Sequence, residues 1–141
     1  MMPGNPGSPI LVILGSSRSR GNTRMLVDAA FPKSNRRLID LGSHAFSEYG
    51  YTCANHDEAF AELADVLVSH QWVVLATPVY WYTTSATMKR FVDRLSDLVT
   101  IRKSLGRALA GRRLYVVATS ADPALPTASN RFSNLHRNIS V

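Results

Sequence analysis

Two short segments of the chain concentrate residue types that could hold a ligand. Residues 15–23 read Gly-Ser-Ser-Arg-Ser-Arg-Gly-Asn-Thr. A loop of this kind ahead of a helix offers free backbone N–H groups and the positive end of the helix dipole. Ser16, Ser17, Ser19 and Thr23 add hydroxyls, Asn22 an amide, and Arg18 positive charge. Gly15 and Gly21 let the backbone curl closely around an anion. This is chemistry for a monophosphate, although the same residues would also make a capped surface turn. Two other nucleotide loops are excluded. The triphosphate loop ends in Gly-Lys-Ser/Thr, whereas Gly21 is followed by Asn22. The dinucleotide fingerprint needs G-x-G-x-x-G, and Gly15 is followed by two serines.

The second segment, residues 77–86, reads Thr-Pro-Val-Tyr-Trp-Tyr-Thr-Thr-Ser-Ala. Pro78 fixes its own φ and stiffens the turn. Three consecutive aromatics, Tyr80, Trp81 and Tyr82, are hard to bury on one short loop. A flat heterocycle would use them, stacking on a ring while backbone groups meet its polar edge. Packing against the core or a second subunit is the alternative.

The elements that would position these segments follow from the apolar pattern. Residues 10–14 (ILVIL), 72–76 (WVVLA) and 114–118 (LYVVA) are short apolar runs suited to strands buried on both faces, with a weaker strand at 37–41. Asn22 or Thr23 could cap a helix carrying Met25, Leu26, Ala29 and Ala30 on one side. Residues 58–69 place Phe60, Leu63, Ala64 and Leu67 at helical spacing. Residues 85–99 read as one helix. Its apolar stripe is Met88, Phe91, Val92, Leu95, Leu98 and Val99, with Lys89, Arg90, Asp93, Arg94 and Asp97 on the wet side. Residues 42–57, 77–84 and 105–113 read as connections. Alternating strands and helices predict an α/β, three-layer, doubly wound parallel sheet of order 2-1-3-4. Both ligand segments then open on one crevice, where the strand order reverses. Residues 123–141, rich in Asn and Ser, form a divergent tail where a fifth strand and last helix are expected.

Composition narrows the function classes. The chain has 141 residues, one domain's length, with 45% hydrophobic and 18% charged residues, as in soluble globular proteins. Residues 1–9 read as a flexible leader without a signal peptide's basic start, and no apolar run would span a membrane, so a cytoplasmic place is expected. The lone Cys53 excludes an internal disulfide or a multi-cysteine metal site. His44, His56, His70 and His136 lack metal-ligand spacing. The net charge of +6 is spread along the chain without a nucleic-acid motif, so no specific nucleic-acid partner is expected.

Residues 15–23 and the longer run 77–94 (TPVYWYTTSATMKRFVDR) together resemble the flavodoxin-like NAD(P)H-dependent FMN reductases and quinone reductases. That resemblance implies FMN as cofactor, NAD(P)H as hydride source, a quinone, flavin or similar acceptor, and a homodimer. It implies that Ser16, Arg18, Asn22 and Thr23 hold the FMN phosphate. Pro78, Val79, Tyr80 and Trp81 would lie along the isoalloxazine, and Thr119, Ser120 and Asp122 would complete the site. The flavin would carry the redox chemistry, so no catalytic side chain is assigned. The rivals are a one-electron flavodoxin-type carrier, disfavoured by the basic charge, and a truncated, non-enzymatic member.

Overall fold

The computed structural model describes residues 9–51 and 58–121. Four strands form a parallel sheet: β1 (Ile10–Leu14), β2 (Arg36–Asp40), β3 (Trp72–Tyr80) and β5 (Arg113–Thr119), in the order β2-β1-β3-β5. The expected order therefore holds, with β4 (Thr83–Thr84) added as a short antiparallel partner of β3. Ile13 aligns with Ile39 on one side and Leu75 on the other, so the all-apolar β1 is central.

Alternating side chains divide the core into two layers. Leu11, Ile13, Val73 and Leu75 face Phe60, Leu63 and Leu67 of α2 (Glu58–Ser69) and Met88 and Phe91 of α3 (Ala86–Arg94). Val12, Leu14, Val74, Ala76 and Val117 face Val27 of α1 (Asn22–Ala30) and Phe31 just beyond it. Each fully buried aliphatic side chain contributes roughly 1.5–3 kcal/mol of burial free energy. The paired faces fix the register, because a one-residue slip would turn every strand over.

Several elements differ from the sequence expectation. The helix α1 buries Thr23 and Val27, while Met25 and Ala29 are exposed and the cap is Gly21 rather than Asn22 or Thr23. Strand β2 begins one residue early and yields to a 3₁₀ turn at Leu41–Ser43. The strand β3 continues through Pro78 to Tyr80, so the expected loop 77–84 is a hairpin. The expected helix 85–99 breaks in two. At Leu95 and Ser96 the amides turn to the carbonyls three residues back, at 3.1 Å each, and α4 (Asp97–Thr100) starts a new phase. Past that break Asp97 is buried and Val99 exposed; within α3 itself Arg94, three residues after buried Phe91, is buried and Val92 exposed, although periodicity placed Arg94 and Asp97 on the wet side.

The connection before β5 holds another short helix, α5 (Lys103–Ala108). Gly106 lets α5 lie against α4, since a Cβ there would stand 2.1 Å from the Leu98 carbonyl oxygen. Gly106→Ala is expected to destabilise the protein by about 1–3 kcal/mol, as overpacking does. Urea denaturation checks this, and an unchanged midpoint would show that the two helices are free to part. The leader 1–8, Cys53, His56, Asp122 and the tail 123–141 lie outside the described residues.

Candidate functional site

The crevice sits at the C-terminal ends of β1 and β3. Its floor is built around Gly15, whose amide donates to the Ala76 carbonyl at 2.8 Å. The Gly15 carbonyl accepts from Ser85 Oγ at 2.5 Å. A Cβ on Gly15 would stand 2.8 Å from Met88 Cβ, so only glycine lets α3 approach this closely. Ser85 is also the N-cap of α3, its Oγ accepting from the Met88 amide at 3.1 Å. Its own amide donates to Thr77 Oγ1 at 3.1 Å. Buried Thr77 and Ser85 thus lock the start of α3 onto the ends of β1 and β3.

The loop after β1 rises from this floor. Ser16 is buried, and its Oγ accepts from the Arg18 amide at 3.2 Å. The Gly21 amide donates to the Arg18 carbonyl at 3.2 Å, closing a tight turn. Arg18 and Asn22 are exposed and Thr23 is buried. With Gly21 as cap, no side chain accepts from the first turn of α1, and no acidic residue stands there. The N-terminal amides of α1 are therefore available to an anion.

The far end of α1 is anchored by Arg36, whose guanidinium donates to the carbonyls of Val27 and Phe31 and pairs with Asp28. Arg36 and Arg24 hold the Asp28 carboxyl below its ordinary value of 3.8. A carboxylate with a lowered folded-state pKa stabilises above its unfolded pKa, and that stabilisation is lost as pH falls through the folded value. Asp28→Asn is expected to lose less stability than the parent between pH 5 and pH 3. Thermal melts across that range measure it, and parallel pH profiles would refute the ion pair's contribution. The difference is small because Asp28 is open to solvent.

The aromatic hairpin forms the opposite wall. Val79 pairs with Thr84 and Tyr80 with Thr83, leaving Trp81 and Tyr82 as a two-residue turn. Both have positive φ, 48° and 64°. That is the requirement of a type I′ turn, ordinarily met by Asn-Gly. Trp81 and Tyr82 are 92% and 91% exposed, and Tyr80 is 46% exposed. Pro78 is buried and Val79 half-buried. Thr84 Oγ1 on this hairpin is buried with no hydrogen-bond partner.

Two long-range contacts join the three expected segments. The Ser17 hydroxyl and the Tyr80 phenol share a hydrogen bond of 3.1 Å. The hydroxyls of Thr23 and Thr119 share one of 2.7 Å, tying α1 to the end of β5. Ser120 is exposed at the same end. Sequence reasoning missed Thr77 and Ser85; the only local signal was a serine three residues after the aromatic run, at a helix start. Beside the crevice, a cleft of about 630 Å³ is lined by Glu48, Tyr49, Tyr51, Lys89 and Arg90 among others. Among the described residues no helix is long and apolar enough to cross a membrane.

A family model described as NADPH-dependent FMN reductase matches residues 8–130. The chain belongs to the NADPH-dependent FMN reductase family. It is similar to YwqN of Bacillus subtilis (strain 168), which bears the name of an NAD(P)H-dependent FMN-containing oxidoreductase. The two are 25% identical over 123 residues, or 80% of this chain and 67% of YwqN. The solved structure of the Trp repressor binding protein from Bacillus subtilis is 27% identical with a TM-score of 0.63, covering 81% of this chain and 64% of that one. The fold is also that of FerB, a flavoenzyme NAD(P)H:(acceptor) oxidoreductase from Paracoccus denitrificans. FerB is 20% identical with a TM-score of 0.63, covering 92% of this chain and 71% of FerB. The chain thus spans about two thirds of the length of these relatives.

The residues present fit the FMN of this reductase family. The loop between β1 and α1 combines uncapped helix amides, serine hydroxyls and Arg18 with no carboxylate, which is a donor set for a phosphate. The hairpin on the opposite wall supplies exposed aromatic surface for a flat ring system.

Proposed function

We propose that this chain binds FMN in the crevice between β1 and β3 and works as an NAD(P)H-dependent reductase of a quinone, flavin or similar small acceptor. One observation carries the reading: the Ser17–Tyr80 and Thr23–Thr119 contacts draw the anion-binding loop, the aromatic hairpin and the end of β5 around one crevice. Bound FMN would supply the two-electron chemistry, taking hydride from the nicotinamide and passing electrons onward.

The chain's own residues do the positioning. Ser16, Arg18, Asn22 and Thr23 are the proposed phosphate grip, through hydroxyls, backbone amides and charge. Pro78, Val79, Tyr80 and Trp81 would hold the ring, with Thr119 and Ser120 closing the third side. The amides of the two loops are fixed before the ligand arrives, so they can stabilise negative charge without reorganising. No side chain is needed as acid or base for the first half-reaction. The positive balance around Arg18 and Arg20 also favours phosphorylated ligands over acidic protein partners.

The test is to add FMN to purified protein, desalt it, and record the visible spectrum before and after anaerobic NADH or NADPH. Retained flavin that bleaches within seconds is the expected result. Flavin that is retained but stays oxidised would favour a one-electron carrier. A folded sample that retains no flavin would end the proposal. Thr23→Val, which removes the hydroxyl bonded to Thr119, is expected to weaken FMN retention about tenfold, the effect of one lost hydrogen bond near a charged group.

A further inference from the structure

A cleft leaves the crevice along the solvent side of α3. Its first residue on that helix is Ala86, next to Ser85, whose Oγ is bonded to Gly15 on the crevice floor. Lys89, Arg90 and Asp93 follow on the same face, at the spacing of side chains on successive turns. From Ala86 to Asp93 the helix carries the cleft about 10 Å away from the crevice. Its volume of about 630 Å³ is that of a small-molecule site.

The opposite wall comes from the segment after β2. Tyr49 and Tyr51 line it, their rings meeting edge-on at 5.4 Å. Tyr51 is 92% exposed, so an entering ligand meets its ring. Buried groups hold this wall in place. Phe46 packs against Phe60 and Phe91, and Arg94 donates to the carbonyl of Ser47. On the α3 side the two cations differ. Lys89 is engaged by Asp93. Arg90 is half-buried, and among the described residues its guanidinium has no hydrogen-bond or ion-pair partner. Such a guanidinium is suited to a phosphate. Glu48 adds a carboxylate, an acceptor for sugar hydroxyls.

We propose that this cleft seats the ADP-ribose half of the nicotinamide dinucleotide, with a phosphate on Arg90 and the adenine against Tyr51. The inference rests on the reductase reading above, which puts the nicotinamide in the crevice. The dinucleotide is much longer than its reacting ring, and its other half needs a seat beside the crevice. The cleft opens there. Its tyrosines, its Arg90 guanidinium and its Glu48 carboxylate match adenine, phosphate and ribose in turn. Binding energy gathered away from the reacting atoms then serves to position the nicotinamide.

Isothermal titration calorimetry with ADP-ribose, on the full chain with FMN added, tests the cleft. ADP-ribose is expected to bind the parent. Arg90→Ala and Tyr51→Ala should each raise its dissociation constant about tenfold, the effect of losing a charged hydrogen bond or a base stacked on an aromatic ring. Lys103→Ala removes a cation of α5 outside the cleft and should leave the constant unchanged. Equal weakening by Lys103→Ala would reduce the effect to general positive charge and overturn the assignment. Flavin retention, read from the visible spectra of the same samples, separates the two readings. A parent that holds flavin but not ADP-ribose overturns the cleft alone. A parent that holds no flavin yet binds ADP-ribose through Arg90 overturns the reductase reading and upholds the cleft. Steady-state kinetics give the second readout. Arg90→Ala should raise the KM for NADH or NADPH about tenfold with little change in kcat. It should not raise the KM for benzyl dihydronicotinamide, a hydride donor without the ADP-ribose half. ADP-ribose binding insensitive to both cleft variants overturns the proposal, as does an Arg90→Ala protein impaired equally with both donors.

Discussion

Arg94→Ala is expected to cost about 3–5 kcal/mol of folding stability, the range for removing one partner of a buried ion pair. Arg94 is 1% exposed. Its Nε and Nη2 donate to Asp97 Oδ2 at 3.0 and 2.9 Å. Its Nη1 donates to the carbonyl and hydroxyl of Ser47 at 2.9 and 3.2 Å. The guanidinium carbon also stands 4.4 Å over the Phe60 ring. Truncation would leave the buried Asp97 carboxylate without its counter-ion and Ser47 without its anchor. Phe46, which meets Phe91 edge-on at 6.5 Å, would lose the clamp that holds its segment against α3. Arg94→Lys keeps the charge but loses the planar fork, so an intermediate loss is expected. Urea denaturation measures all of this. Lys89→Ala removes the exposed Lys89–Asp93 pair on the same helix and should change stability by less than about 1 kcal/mol. If Arg94→Ala cost no more than Lys89→Ala, residues 46–51 would have to be held by something other than this buried cation.

These two cations show why only part of the molecule was legible in its sequence. Strands β1 and β3 and helix α2 could be read because their apolar runs are local and unbroken. The burial of Arg94 could not, because it rests on partners outside α3, Asp97 and Ser47, and that of Asp97 could not, because it depends on a helical phase. Two amides at Leu95 and Ser96 reset that phase by turning to carbonyls three residues back. The site divides in the same way. The anion loop and the aromatic run carry their chemistry in consecutive residues and could be found by composition. The locking roles of Thr77 and Ser85 exist only through Gly15, 70 residues before Ser85. Thr23 was expected as a cap, but its hydroxyl is engaged by Thr119, 96 residues away, leaving the cap to Gly21. The hairpin was read as a loop because its turn residues are Trp and Tyr, not the Asn-Gly that signals such a turn.

That mismatch supports a second large prediction. Replacing the turn by Trp81→Asn and Tyr82→Gly is expected to make the protein more stable and less able to hold FMN. A non-glycine residue in the left-handed region costs about 1–2 kcal/mol, and here two large aromatic residues occupy it in succession. Both side chains point into solvent, so they repay none of that cost by packing within the chain. Strain of this kind persists where the surrounding structure imposes it, and it gathers at ligand sites. The Val79–Thr84 and Tyr80–Thr83 pairs impose it here. Asn-Gly suits the same backbone without strain, so the double variant should gain about 1–3 kcal/mol in urea denaturation. It would also lose the aromatic surface proposed to lie along the ring, and FMN retention should fall tenfold or more. Trp81→Ala separates the two effects, since it removes the ring and keeps a side chain at positive φ. It should weaken FMN retention with little gain in stability. A double variant that is stabilised yet binds FMN as the parent does would mean that the exposed aromatics serve something other than the flavin. A double variant with no gain would mean that the turn relaxes at little cost, and its strain would then say nothing about function.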